Sequence, residues 1–474
     1  DWDLQKIAEK AVRQNMDKFL AIGAHNADFT SKDVATGQVV AMVGSRSFKY
    51  PKYGSYNAAL ANRQPGSSFK PYSYAELFKT TRWGPDSFIY DTKTSFGDYA
   101  PQNFDGGFRG KLTVRQALAE SRNIPAVKSL YIAGLQNVID LAKDMGNTTL
   151  GPAERYGLSL VLGSGEVKLA EHVHGYATFA RGGENKEQSY MLKVENANGE
   201  VLKEWTDEKG KEVLDPQVAY LVTDILTDEQ ARIPTFGANN PAIDVPNATI
   251  AVKTGTTDSF IDGWMMGYSK YLAAGVWAGN HDNTEASTFG SNLTGPIWSQ
   301  FMRDAHREKK LKNRDIFDER PEGIKRVRMN ASTGYAATPS DKNTYWGLFP
   351  SWYEKELPSS AKKYTADKIS GGVATSCTPD AAKVQKTSKG LWPELLPDDP
   401  WFNLWGKSAG YSKSGIPTKK DDVHKCSDKL PGVSLDVTQL SDGIYEFEAT
   451  ITKGTHKLDE LNFRVDGQVV SSQI

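Results

Sequence analysis

The sequence predicts a mixed α/β (α+β) fold in which helices flank an antiparallel sheet, followed by a small C-terminal all-β module. Two apolar segments, 263–268 and 272–279, are joined by only three residues, a connection typical of neighbouring antiparallel strands. Helix-start signals precede several apolar segments of the first three hundred residues. From residue 433 onward, apolar and polar residues alternate as they do in strands.

The segment Ser-Ser-Phe-Lys at 67–70 lies where a helix is predicted to begin. The preceding residues 63–66 are Arg-Gln-Pro-Gly, which favours a turn, and apolar residues follow. At a helix start the N–H of Ser67 is unpaired and the helix dipole is positive, which favours a developing oxyanion. The spacing of three residues places Lys70 on the face that carries Ser67. The alternative is a helix cap with a solvated lysine.

A second candidate segment, from Ser121 to Asn123, follows another predicted helix. Thr113 and Gln116 have the spacing of a capping box, which predicts that a helix begins there, and Pro125 predicts its end. Ser121 and Asn123 therefore fall at the C-terminal end of this helix or in the turn after it. Helix-end capping is the alternative role for both side chains.

The third segment, Lys-Thr-Gly-Thr, ends a β-prone stretch. Gly255 lets a substrate backbone approach closely. Lys253, Thr254 and Thr256 offer one cation and two hydroxyls along a strand edge, where they suit a carboxylate. Ser-x-x-Lys, Ser-x-Asn and Lys-Thr-Gly in this order are the motifs of penicillin-binding proteins and serine β-lactamases, so we predict an acyl-transfer enzyme with a serine nucleophile.

The sequence around these motifs resembles the transpeptidase domain of class A penicillin-binding proteins. RQPGSSFKP, GKLTVRQALAESRNIPAVK and VKTGTTDSFIDGWMMGYSKYLAAGVWAGN carry the resemblance, which covers about residues 1–315. It implies the α/β transpeptidase fold, with a five-stranded antiparallel sheet and a site between this sheet and a helical subdomain. Ser68 replaces a common threonine and Arg122 fills a free position of the motif, which leaves antibiotic affinity open. The segment 28–32 is more polar than the usual first strand.

The resemblance also implies the catalytic roles. Ser67 would attack a stem peptide ending in D-Ala-D-Ala and form an acyl-enzyme, expelling the last D-alanine. Lys70 would be the base, which requires a pKa well below the ordinary value of about 10.4 for a lysine. Ser121 would relay the proton to the leaving amine, and Asn123 would hold the substrate amide and Lys70.

The binding roles are implied in the same way. Lys253, Thr254, Gly255 and Thr256 would hold the terminal carboxylate of the substrate. The backbone N–H groups of Ser67 and Thr256 would form the oxyanion hole. The amine of a second stem peptide would then take the acyl group and cross-link two glycan strands, and β-lactam antibiotics would acylate the serine as covalent inhibitors. No cofactor and no metal is expected.

Family members carry an N-terminal membrane anchor and a glycosyltransferase domain, and the sequence shows neither pattern. We therefore expect part of a membrane-anchored, bifunctional enzyme at the extracytoplasmic face of the bacterial cell membrane, with cell-wall synthesis proteins as partners. The net charge of −1 over 474 residues shows no nucleic-acid footprint. His172 and His174 lie two apart on a predicted helix and so point to different faces, which does not suggest a metal site.

We predict three regions along the chain. Residues 1–320 form the transpeptidase domain, 321–430 an irregular region rich in Trp, Pro and Lys, and 431–474 a small β-sandwich-like module. Cys377 and Cys426 are the two cysteines, and an extracellular setting favours a disulfide over two free thiols. The tryptophans after residue 320 favour anchors of a small core over a glycan-binding surface.

Other functions share parts of this pattern. A D,D-carboxypeptidase has the same motifs and differs in using water as the acceptor. A β-lactam sensor domain, a binding module rather than an enzyme, is acylated and stays acylated. A serine β-lactamase of the commonest class needs a Glu-x-x-Leu-Asn loop, and the sequence contains none.

Overall fold

The computed structural model describes residues 1–257, 260–286, 290–311, 320–332, 334–353, 363–387, 416–429, 431–455, 461–465 and 468–473. These residues form two compact units, the first made of the described residues up to 353 and the second of those from 363 onward. None of the helices in the described ranges is long and apolar enough to cross a membrane.

Helices α1 to α9 span, in chain order, Trp2–Leu20, Lys70–Thr80, Val114–Ala119, Asn123–Ala133, Leu135–Asp144, Leu169–Ala180, Pro216–Thr227, Glu229–Phe236 and Gly290–Glu308. Short 3₁₀ helices lie at Ala58–Leu60, Gly66–Phe69, Ala153–Arg155, Gly157–Leu162 and Asp380–Ala382. Strands β1 to β21 span, in chain order, Asn26–Asp33, Val39–Val43, Asn62–Arg63, Phe88–Asp91, Gly110–Thr113, Val167–Lys168, Glu184–Asn185, Lys193–Glu195, Val201–Glu204, Lys211–Glu212, Ala251–Thr256, Asp262–Tyr268, Leu272–Gly279, Lys325–Asn330, Thr344–Phe349, Lys363–Asp367, Lys383–Thr387, Gly432–Ser441, Ile444–Thr452, Leu461–Val465 and Gln468–Gln473.

The first unit is built on a five-stranded sheet in the order β11-β12-β13-β1-β2. All neighbouring strands are antiparallel, which confirms the predicted fold class. Strand β11 carries the Lys-Thr-Gly-Thr segment, with Lys253 opposite Met266 and Thr256 opposite Gly263. Because β11 comes first in the strand order, one of its edges pairs with no other strand of this sheet.

Helices cover both faces of this sheet. Trp264 and Met266 of β12 belong to a core shared with residues of α2, α4, α6 and α7. Met265, which lies between them in the chain, packs instead in a second core with residues of α1 and α9. Successive strand residues point to opposite faces, so two covered faces require the uninterrupted apolar sequences of β12 and β13.

The polar segment 28–32 lies inside β1 and is buried in the sheet. Two of its polar side chains find partners there: Ser31 donates to the Ala273 carbonyl at 3.1 Å, and Lys32 Nζ lies 3.0 Å from His174 Nδ1. Asp28 Oδ1 and Thr30 Oγ1 are buried without a hydrogen-bond partner in the described residues. Burial holds the pKa of Lys32 well below its ordinary value. Hydrogen bonds of Ser31 and Lys32 thus offset part of the cost of burying a polar strand.

The described strands of the second unit form three separate hairpins, β16–β17, β18–β19 and β20–β21. Val433, Leu435 and Phe447 of the second hairpin expose more than half of their surface, at 56%, 52% and 52%. The β-sandwich and the domain boundaries expected from the sequence stay predictions.

A disulfide joins Cys377 to Cys426 in the second unit, 49 residues apart in the chain. Next to it, one Asp421 carboxylate oxygen accepts a hydrogen bond from Thr378 Oγ1 at 2.6 Å and lies 2.9 Å from His424 Nδ1. Asp367, Asp421 and His424 are the one group of potential metal ligands close together in the described residues. Protein donors already occupy the Asp421 carboxylate, so the cluster is a buried polar cross-link beside the disulfide.

Reduction of this disulfide is expected to raise the intact mass by two hydrogens and to lower the stability of the second unit. Closing a loop of this length stabilises a fold by about 4 kcal/mol in the chain-entropy model. The measurement is mass spectrometry under denaturing conditions with and without reductant, followed by denaturant unfolding of the Cys377→Ser/Cys426→Ser variant. Cys377→Ser alone is the control for a free thiol. An unchanged mass on reduction would contradict the bond.

Candidate active site

Ser67 lies in the 3₁₀ helix Gly66–Phe69, which leads directly into α2. The sequence predicted a helix starting near this serine, and the regular α-helix begins three residues later, at Lys70. Pro71 occupies the first turn of α2, where its missing N–H costs no hydrogen bond. The Ser67 hydroxyl makes no hydrogen bond to any residue that the structure describes, so it is not tied to a protein acceptor.

Glycines bring this turn into direct backbone contact with β11. A Cβ added to Gly66 would lie 2.7 Å from the Thr256 carbonyl oxygen, and one added to Gly255 would overlap the Pro65 carbonyl. A Cβ added to Gly163 would overlap the backbone nitrogen of Gly66. Gly66 also has a φ of +55°, which favours glycine. The contact places the backbone around Ser67 against that of the Lys-Thr-Gly-Thr strand.

The amine of Lys70 is fully buried and surrounded by acceptors. Its Nζ donates to the Ser121 carbonyl at 2.5 Å and to Asn123 Oδ1 at 2.7 Å, and lies 3.4 Å from Ser121 Oγ. Burial lowers its pKa well below the ordinary value, and the charges of Lys253 and Arg122 lower it further. The environment therefore favours the neutral amine, which is the form that can accept a proton.

A second buried amine, that of Lys253 on β11, also contacts Ser121. Lys253 Nζ donates to Ser121 Oγ at 2.8 Å and to the Thr254 carbonyl at 2.9 Å. Burial lowers the pKa of Lys253 to about 7. The Ser121 hydroxyl is therefore flanked by the amines of Lys70 and Lys253, and proton transfer through it needs no large movement.

The second motif forms a tight turn between two helices. Thr113 and Gln116 make the predicted capping box at the start of α3. Ser121 follows the end of α3 with a φ of +60°, a left-handed conformation that costs about 1 kcal/mol or more outside glycine. Asn123 begins α4, and Pro125 lies in the first turn of that helix. Pro125 therefore lies in the first turn of α4 and does not end α3, which stops six residues earlier at Ala119, so the predicted helix end was wrong.

Arg122, which departs from the family pattern in the sequence, stabilises this turn through buried hydrogen bonds. Its guanidinium is 1% exposed, donating to Asp91 Oδ2 at 2.8 Å, to both Asp105 oxygens at 2.8 and 3.1 Å, and to the Gly107 carbonyl at 2.7 Å. Hydrogen bonds from Arg122 lower the pKa of Asp105. A buried cation with two carboxylates and a carbonyl leaves the turn little freedom.

Asn103 continues this network to Asn123. Its Nδ2 donates to Asp91 Oδ1 at 2.7 Å, while its Oδ1 accepts from the Asn123 N–H at 2.9 Å. Asn123 Nδ2 in turn donates to the Gln102 carbonyl at 2.8 Å, which leaves its Oδ1 directed at Lys70. No sequence signal identified Asp91, Asn103 or Asp105, because their role depends on partners far along the chain.

The structure thus joins Lys70, Ser121, Asn123 and Lys253 by direct hydrogen bonds and brings Ser67 and Gly255 together through the backbone. Thr256 Oγ1 accepts a hydrogen bond from the Gly290 N–H at 3.2 Å. Thr254 is half-buried on the same strand. His172 and His174, which the sequence places two residues apart on α6, have different partners. His172 contacts Ser68, and His174 contacts Lys32.

A sequence model described as the penicillin binding protein transpeptidase domain matches residues 29–303. Penicillin-binding protein 2D of Bacillus subtilis is 31% identical over 362 residues, covering 74% of this chain and 50% of the relative. The chain spans half or less of the length of the curated relatives it matches.

Two solved structures show the same fold. Penicillin-binding protein 1A from Haemophilus influenzae aligns with a TM-score of 0.59 at 22% identity, covering 71% of this chain and 54% of its own. PonA1 from Mycobacterium tuberculosis, solved in complex with penicillin V, aligns with a TM-score of 0.57 at 25% identity. That match covers 66% of this chain and 85% of PonA1.

Replacing Arg122 by methionine is expected to slow acylation by a penicillin by at least about 10-fold, because the turn that positions Ser121 and Asn123 loses its buried cation. It should also destabilise the first unit by about 3 kcal/mol or more, since Asp91 is left without its charge partner. The rate is measured on folded protein with a fluorescent penicillin.

Arg115→Met provides the matched control for this measurement. Arg115 on α3 is another well-buried arginine, paired with Asp86, Asp224 and Asp228. It should lose stability but acylate within about 2-fold of the wild-type rate, because it holds no motif residue. Equal slowing in both variants would show that general destabilisation, not the turn, explains the effect.

Proposed function

This chain belongs to the penicillin-binding protein transpeptidase family, and from that premise we propose that it is a serine D,D-transpeptidase. Its substrates are peptidoglycan stem peptides that end in D-Ala-D-Ala, and its product is a cross-link between two glycan strands. The observation that carries the proposal is the convergence of two buried amines, Lys70 and Lys253, on the Ser121 hydroxyl. No simple structural role requires two amines of lowered pKa at one hydroxyl.

The first step is attack by Ser67 Oγ on the carbonyl of the penultimate D-alanine. The Oγ–C bond forms as the Ser67 proton moves to the neutral amine of Lys70, and the carbonyl oxygen becomes an oxyanion. The lowered pKa of Lys70 supports this role, since a lysine of ordinary pKa is protonated at neutral pH. Its hydrogen bonds to Ser121 and Asn123 hold the amine in place while it exchanges the proton.

Collapse of the tetrahedral intermediate breaks the peptide C–N bond and releases the terminal D-alanine. The leaving nitrogen needs a proton, and Ser121 is assigned to deliver it, taking one from Lys70 or Lys253 as it gives one up. The contacts of its Oγ with Lys253 Nζ at 2.8 Å and with Lys70 Nζ at 3.4 Å support this relay. The acyl-enzyme on Ser67 remains.

The oxyanion is assigned to the backbone N–H groups of Ser67 and Thr256. Support comes from the glycine contact, because Gly66 and Gly255 allow the turn and β11 to approach to backbone distance. Loss of one such donor typically costs about 100- to 1000-fold in rate. A side chain at Gly255 would push the two segments apart.

The terminal carboxylate of the substrate is assigned to Lys253, Thr254 and Thr256, with Gly255 leaving room for the peptide backbone. These groups lie on the edge of β11 that pairs with no other strand of the central sheet, so an extended peptide can approach them. β-Lactams carry a carboxylate in a comparable position, which makes them covalent inhibitors in this proposal. The complex of the relative PonA1 with penicillin V supports that expectation.

The second step transfers the acyl group to the amine of another stem peptide. That amine loses a proton as the new amide forms, and Ser67 recovers its hydroxyl hydrogen through Lys70. Peptidoglycan lies outside the cytoplasmic membrane, so we place the activity at the extracytoplasmic face of the bacterial cell membrane, among other cell-wall synthesis proteins.

Incubation with benzylpenicillin is expected to add one penicilloyl group, located by peptide mapping on the peptide that contains Ser67. Ser67→Ala should carry no adduct, and the exposed Ser47→Ala should be labelled like the wild type. An adduct on Ser67→Ala would refute the nucleophile. Incubating the enzyme with stem peptides and an amine acceptor then separates the activities: a cross-linked product supports transpeptidation, hydrolysis alone indicates a carboxypeptidase, and a stable adduct without turnover indicates a sensor.

The rate of acylation at low penicillin concentration should rise and then fall with pH. It rises as Lys70 loses its proton, and it falls above about pH 7 as Lys253, whose pKa is about 7, loses the charge that binds the carboxylate. In Lys253→Arg the guanidinium stays charged, so the fall at high pH should disappear while the rise remains. The measurement is the second-order rate constant between pH 5.5 and 9, taken as a working range of roughly three units around neutrality. A fall that persists in the arginine variant would contradict the role of Lys253.

A further inference from the structure

We propose that a buried hydrogen-bond chain running from Tyr72 through His172 to Ser68 positions the turn that carries Ser67, and that His172 and Ser68 are positioning residues for acylation. The proposal rests on the function proposed above, because it concerns the same nucleophile. Its starting point is a contact between residues 104 apart in the sequence: His172 Nε2 lies 2.9 Å from Ser68 Oγ.

The donors and acceptors along this hydrogen-bond chain determine which atom carries each proton. Ser68 has one hydroxyl hydrogen and donates it to the Pro65 carbonyl at 2.7 Å, so His172 Nε2 must donate to Ser68 Oγ. In that neutral tautomer His172 Nδ1 is an acceptor, and the Tyr72 hydroxyl donates to it at 3.2 Å. Asn147 Nδ2 donates to the Tyr72 oxygen at 3.0 Å. All hydrogen bonds therefore run in one direction and end on the Pro65 carbonyl.

This direction excludes a second catalytic pair. A serine beside a histidine is also the arrangement of a nucleophile and its base, but a base must accept the serine proton. Here the Nε2 of His172 already carries a proton, and both Ser68 and His172 are fully buried. Burial lowers the pKa of His172 to about 3, so the ring stays neutral at neutral pH. A neutral donor locked away from substrate can act on the reaction only through what it holds.

What it holds is the backbone on both sides of the nucleophile. Tyr176 Oη donates to the Ser68 carbonyl at 2.7 Å, and Trp264 Nε1 donates to the Gln64 carbonyl at 2.7 Å. The hydrogen-bond chain from Tyr72 ends on the Pro65 carbonyl. Buried donors therefore hold the carbonyls of Gln64 and Pro65 before Ser67 and the Ser68 carbonyl after it. The Ser67 N–H shares its rigid peptide plane with the Gly66 carbonyl, and this plane lies between the held Pro65 and Ser68 carbonyls. Fixing the backbone before and after it therefore limits how far the Ser67 N–H, the proposed oxyanion donor, can rotate.

Neighbouring residues leave room for the chain. A Cβ at Gly175 would overlap the Tyr72 hydroxyl, so α6 has a glycine where that oxygen lies. The His172 ring also packs edge-on against Trp264, with ring centroids 5.9 Å apart. A satisfied polar chain inside a packed core allows far fewer arrangements than an apolar contact of the same size.

The test compares His172→Leu, which removes the donor, with His172→Gln, which offers an amide N–H in the place of Nε2. The readouts are the acylation rate constant at saturating fluorescent penicillin and the dissociation constant of the initial complex. His172→Leu should slow acylation at least about 10-fold, part of the 100- to 1000-fold cost of losing an oxyanion donor, while initial binding changes less than about 3-fold. His172→Gln should restore most of the rate, which a merely structural role does not require.

His174→Leu is the matched control. His174 lies on the same helix, is 3% exposed and likewise bonds polar partners, Lys32 and Asn185. Within the described part of the protein it makes no hydrogen bond to Tyr72, His172 or Ser68. Its loss should lower stability and leave acylation within about 2-fold of wild type. Equal slowing in His174→Leu and His172→Leu would overturn the proposal.

Ser68 supplies an independent arm if His172→Leu does not fold. Ser68→Ala should slow the same step, Ser68→Thr should restore it because the hydroxyl is kept, and adding His172→Leu to Ser68→Ala should slow it no further. Wild-type acylation by Ser68→Ala would overturn the proposal. Because Ser67→Ala is run in the same assay, its complete loss of labelling keeps the proposed function standing in that case, whereas labelled Ser67→Ala would refute the function itself.

Discussion

Two buried amines meet at one hydroxyl, and the arrangement of the first unit depends on that constraint. Lys70 and Lys253 both lie within hydrogen-bond distance of Ser121 Oγ, and burial lowers both pKa values. Desolvated amines need acceptors, and the turn at Ser121 supplies carbonyl, amide and hydroxyl oxygens in a strained left-handed conformation. Arg122, the next residue, stabilises that turn by pairing with the carboxylates of Asp91 and Asp105. The strained backbone at Ser121 and the contacts of its hydroxyl with both amines thus occur at the same turn, which supplies the acceptors that the buried amines need.

A second constraint is the distance between the nucleophile turn and β11. The strand packs against this turn through Gly66 and Gly255, where an added Cβ would meet backbone atoms of the other segment. Because the two backbones are this close, the turn that carries Ser67 cannot move towards β11 without a clash. The buried donors on the carbonyls around Ser67 meet that requirement from α6, through Tyr176, and from β12, through Trp264. The proposed nucleophile therefore lies on a turn that packs against β11 and is held by buried donors from two other elements.

Local patterns in the sequence predicted much of the fold. The capping box at Thr113 and the two apolar strands β12 and β13 formed as expected, because each depends on neighbours within a few residues. Where the sequence was less accurate, a competing local preference had the larger effect. Asn123 starts a helix instead of following one, since a proline is as favourable in a first helical turn as it is after a last one.

The sequence by itself determined the family and the candidate reactive groups, because the order Ser-x-x-Lys, Ser-x-Asn and Lys-Thr-Gly predicts the chemistry without the tertiary structure. It did not determine why those groups have the right protonation and position. The partners of Arg122, the sharing of Ser121 by two lysines and the contact of Ser68 with His172 join segments that are 15 to 132 residues apart. Burial and long-range packing alone produce such contacts, and with them the low pKa values and the rigid turn, since both effects depend on excluding water from places that no local pattern specifies.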